Sequence, residues 1–67
     1  MPAIDLQIRL RELRVERLLA ASEGLGADTA YMADLDGEIA EVGDAYVAAA
    51  VTEIATLRGE LFGPQVG

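Results

Sequence analysis

The run DTAYMADLDGEIAEVGDAYVAAAVTEIATLRGELF, residues 28–62, decides the fold. Within it Met32, Leu35, Ile39, Val42, Tyr46, Ala50, Ile54, Leu57 and Leu61 recur at steps of three or four. That spacing places them on one face of a single helix. At 1.5 Å per residue such a helix is about 50 Å long. A chain of 67 residues has nothing else long enough to cover it. The mismatch points to self-association.

Just before this run, Ser22-Glu23-Gly24-Leu25-Gly26 reads as a helix stop. Gly24 can adopt the left-handed conformation that closes a helix, with Leu25 folding back on the last turn. Asp28 is the candidate N-cap of the long helix. A connection of about four residues forces an antiparallel hairpin.

Residues 4–23 are less clear. Ile4, Leu6, Ile8 and Leu10 alternate with Asp5, Gln7 and Arg9 as a strand would. The run continues without a turn signal through Leu13, Val15, Leu18 and Leu19, and helix formers predominate. The expectation is a helix over 3–23, apolar on two sides. At 100° per residue, Ile4, Ile8, Val15, Leu18 and Leu19 form one stripe, and Leu6, Leu10, Leu13 and Ala20 another roughly opposite. One stripe meets the long helix of the same chain; the other needs cover from elsewhere.

Charge supplies a register. If the turn centres near residue 26, Arg17 faces the Asp34 region, Arg14 faces Glu38, Arg11 faces Glu41 and Arg9 lies near Asp44. Exposed ion pairs add little stability, so this ladder would set orientation more than strength.

The long helix has irregular points. Gly37 and Gly43 are either tolerated weak spots or, with Ala33 and Ala40, a surface of small residues for close packing. Asp36-Gly37 could alternatively turn a hairpin between 31–35 and 38–42, giving a β-β-β-α chain. From Val42 through Tyr46, Ala50 and Ile54 the apolar steps are all four, which departs from a heptad and resembles a stutter. Glu53 falls close to the apolar face, where it either snorkels to water or meets an arginine of a neighbouring subunit. The helix is expected to end near Phe62, before Gly63-Pro64, leaving residues 63–67 as a flexible tail.

Composition narrows function by exclusion. The net charge is −7, from 12 acids and five arginines, with no Lys, His or Cys. The first 23 residues are neutral overall, and residues 24–67 carry the whole excess. A negative surface repels phosphate backbones and anionic headgroups, so nucleic acid and membrane surfaces are not expected partners. The longest uncharged run, Ala45 to Thr52, is far short of a membrane span. No secretory signal is evident, so a cytoplasmic location is expected.

Catalysis and metal binding have little to build on. Ser22 is the only serine and has no base beside it. Asp34, Asp36, Gly37 and Ile39 match part of a calcium loop, but the first and last ligand positions fall on Met32 and Gly43. No catalytic residue, metal or cofactor is expected. In composition, and in residues 30–41 and 51–61, the chain resembles the small helical accessory proteins of actinobacteria and their phages. That resemblance implies no activity and transfers no functional residue.

The expected architecture is all-α: a hairpin of a short helix (3–23) and a long one (28–62), one domain over 1–67. The long arm overhangs by about 20 Å. Two hairpins then pair as a four-helix-bundle homodimer through Leu6, Leu10, Leu13, Tyr46, Val47, Val51, Ile54, Leu57 and Leu61. The expected function is a self-associating interaction or structural module, with another protein as a further partner. The alternative is an acidic regulator, antitoxin-like or a DNA mimic, occupying a basic site on a partner.

Overall fold

In the computed structural model, which describes residues 1–62, two helices form an antiparallel hairpin. Helix α1 spans Ala3–Ser22 and helix α2 spans Thr29–Phe62. The helix stop at Gly63-Pro64 and the tail 63–67 lie outside the described residues. No strand occurs among the described residues. Residues 4–10 are helical despite their alternation, and α2 passes through Asp36-Gly37 without a turn.

Local chemistry sets the helix ends. Gly24 has φ 89°, the left-handed conformation that an L side chain resists. Its N–H donates to the Ala21 carbonyl at 3.3 Å, one of the two bonds of a Schellman closure. A short 3-10 turn, Leu25–Ala27, then carries the chain to Asp28. There the Asp28 carboxylate accepts the Tyr31 N–H at 3.0 Å, an N-cap on a donor the helix cannot satisfy internally.

The two helices meet along one seam. From α1 it takes Leu6, Leu10, Leu13 and Ala20, with Leu13 only 1% exposed. From α2 it takes Met32, Leu35, Ile39, Val42, Tyr46 and Ala49, of which Leu35 is fully buried and the others half-buried. The α2 positions alternate strictly between steps of three and four, the seam of an antiparallel coiled coil. The apparent stutter has a simple origin. Past Tyr46 the apolar pattern divides: one branch stays in the seam at Ala49, while the other rotates to solvent through Val47, Val51 and Ile54.

Two expectations are corrected here. Leu10 and Leu13, assigned to a contact between subunits with Leu6, face α2 of their own chain. The opposite stripe is the outer one: Ile4, Ile8, Val15, Leu18 and Leu19 are 49–70% exposed. The reason lies in spacing. Leu6, Leu10, Leu13, Arg17 and Ala20 step by four, three, four and three, matching the heptad of α2, whereas Arg11 and Glu12 interrupt the outer stripe.

The overhang is also shorter than expected. The N terminus of α1 lies against Glu53, leaving Ile54 to Phe62 beyond it, about 13 Å of helix. The turn and the first residues of α2 take up the remaining difference in length.

Candidate functional site

Glu53 occupies the seam position after Tyr46 and Ala49, where α1 begins. Its Oε2 accepts the Ala3 N–H at 2.6 Å. Pro2 provides no side-chain cap, so a carboxylate from the other helix serves the positive end of α1. Glu53 stays exposed, as the reading that it snorkels to water expects, and also caps α1 of its own chain. Glu53 pins the open end of the hairpin.

Charge pairing follows rotation as well as level. Arg17 donates from Nε to Asp36 Oδ1 at 2.6 Å, two residues from the expected Asp34 region. The contact holds the Arg17 guanidinium above its ordinary value, chiefly through the hydrogen bond and then through the Asp36 charge. Arg9 bridges Glu12 at 3.6 Å and Glu38 at 3.1 Å. Glu38 was expected opposite Arg14, and Asp44 near Arg9. Among the described residues no ion pair joins Arg11 or Arg14 to α2, and none engages Asp34, Glu41 or Asp44. Arg11 sits 100° round from Leu10 and 200° from Leu13, on the outer side of α1. Arg14 lies on the opposite flank of the seam from Arg9 and Glu38. Matching charges by height along the axis ignored this rotation.

On the flank that Arg9 and Glu38 share, the Tyr31 hydroxyl donates to Glu16 Oε1 at 3.2 Å, a contact the charge pattern could not reveal. Desolvation first, then this hydrogen bond and the charges of Glu16 and Glu23, push the hydroxyl above its ordinary value.

The surface left over is apolar. Val47, Val51, Ile54, Leu57 and Leu61 form a ridge on α2, each 54–60% exposed. The ridge lies roughly 100° round the helix from the seam. Rotation therefore bares Val47 and Val51, which are level with α1, and overhang bares Ile54, Leu57 and Leu61. Tyr46, expected among these residues, belongs to the seam and is half-buried. Only Arg58 interrupts the ridge, while Arg11 and Glu12 break the outer stripe of α1.

The exposed area is large for the mass. The 67-residue chain exposes 5110 Å², whereas a compact monomer of 7.1 kDa exposes roughly 4,100 Å². The excess, roughly 1,000 Å², is shared between the ridge and the equally bare outer stripe of α1.

Among the described residues no group of three carboxylates could hold a metal ion. Asp36 and Glu38, from the partial calcium loop, are instead paired with Arg17 and Arg9 on a continuous helix. Among the described residues no helix is long and apolar enough to cross a membrane. No protein-family model, curated protein or solved structure matches the chain.

Proposed function

We propose that this chain is a small, non-enzymatic interaction module whose hairpins associate with one another, forming a homodimer that serves as an adaptor or accessory protein. The Val47–Leu61 ridge carries this reading. Five large aliphatic side chains lie bare, whereas among the described residues only four hydrophobic residues are buried, Leu10, Leu13, Ala20 and Leu35. Full burial of one such side chain brings about 1.5–3 kcal/mol, so covering the ridge would add substantially to a meagre core. The acidic-regulator alternative would rest on Asp34, Glu41 and Asp44, since Asp36 and Glu38 are engaged by Arg17 and Arg9.

Light scattering at micromolar concentration tests the reading. The expected mass is twice the 7.1 kDa of the chain. Ile54→Asp, which lies beyond the seam, is expected to halve that mass while the chain keeps helical circular dichroism, since a charge opposed to an apolar surface is costly. A wild-type mass of one chain across the micromolar range would refute self-association.

A further inference from the structure

Counted from Ile54, the ridge residues fall at −7 (Val47), −3 (Val51), +3 (Leu57) and +7 (Leu61). The spacing reads identically in both directions. In an antiparallel two-fold contact centred on Ile54 each position meets its mirror position, so this spacing sets apolar residue against apolar residue at every level.

We infer that a second copy of this chain docks on the ridge antiparallel to the first, with the two-fold axis passing beside Ile54. Ile54 then meets Ile54 of the other copy, while Leu57 meets Val51 and Leu61 meets Val47, each twice. Every off-axis pair sets a Leu against a Val. The one charge on the ridge also fits. Arg58, at +4, faces Ala50 at −4, a small residue that leaves room for the arginine stem. The two Arg58 side chains lie about 12 Å apart along the axis. A parallel pairing would bring them to one level, like charge beside like charge. The five ridge side chains that this contact buries are each more than half exposed in the single hairpin.

This inference rests on the self-association reading and specifies its geometry. Each α1 starts at the level of Glu53, so only one α1 flanks the paired long helices on either side of the axis. The dimer is thus elongated, with three helices in cross-section through the overlap.

The chain has no cysteine, so introduced thiols report the register directly. A disulfide needs Cα atoms about 4.4–6.8 Å apart. Ile54→Cys is expected to form a covalent dimer on mild oxidation at micromolar concentration. Val47→Cys and Leu61→Cys alone are expected to stay uncrosslinked, because like positions lie about 21 Å apart along the axis. Mixed together, they are expected to link. Val51→Cys mixed with Leu57→Cys reads the same register and serves if either outer variant fails to fold. Self-linking of Val47→Cys would overturn the antiparallel register in favour of a parallel one. Failure of both mixtures to link, with a wild-type mass of two chains, would overturn the Ile54 axis and leave self-association standing. A wild-type mass of one chain would remove both.

Discussion

Leu13 is the most enclosed side chain of the hairpin, and Leu18, five residues on, is 70% exposed. Composition does not separate them. Leu13→Ala is expected to cost about 2–5 kcal/mol, through lost transfer energy and the cavity left behind. Such a loss is a large fraction of what a chain of this size can hold. Circular dichroism should therefore show loss of helix or a markedly lower melting temperature. Leu18→Ala is expected to shift the melt by less than about 0.5 kcal/mol. Equal effects would place the seam on the wrong stripe of α1.

Tyr31 gives a pH dependence at the same scale. Its folded-state value is raised, so the stability linked to it is complete below the ordinary 10.0 and is lost as pH rises through the folded value. The melting temperature is expected to fall in alkali, and Tyr31→Phe should remove part of that fall. Identical alkaline profiles for the two proteins would contradict the raised Tyr31 value. The Asp28 cap was legible in the sequence because it joins residues only three apart, Asp28 and Tyr31. The partners of Arg9 and Arg17 were not, because they depend on how two helices are rotated against each other.

At the scale of elements, the glycines differ. Gly24 needs its positive φ, but Gly37 sits in exposed helix with open space where a Cβ would stand. Close packing within the hairpin therefore does not explain Gly37. Gly37→Ala is expected to stabilise by about 1 kcal/mol, or about 4–8 °C in a domain of this size. A lowered melting temperature would show that this face is packed against something outside the hairpin. The helices and their hairpin order were readable from periodicity and the Gly24 stop. The strand-like alternation of residues 4–10 gave way to helix because the longer run supports a heptad seam against α2.

For the whole molecule, the proposed self-association through the ridge has a thermal signature. A self-associating hairpin melts at a temperature that rises with protein concentration, because the partner binds only the folded form. The wild-type chain should show this rise, and Ile54→Asp should not.

The sequence by itself determined two helices, the turn between them and an apolar excess, since these follow from contacts within a few residues and from periodicity. Only the tertiary structure decided which stripe of α1 faces inward, which arginines find acids and where Glu53 binds. It also showed that rotation, and not length alone, bares part of the ridge, at Val47 and Val51. Those outcomes depend on the rotation and level of one helix against the other, which is fixed by the fit of the whole seam and by no residue alone.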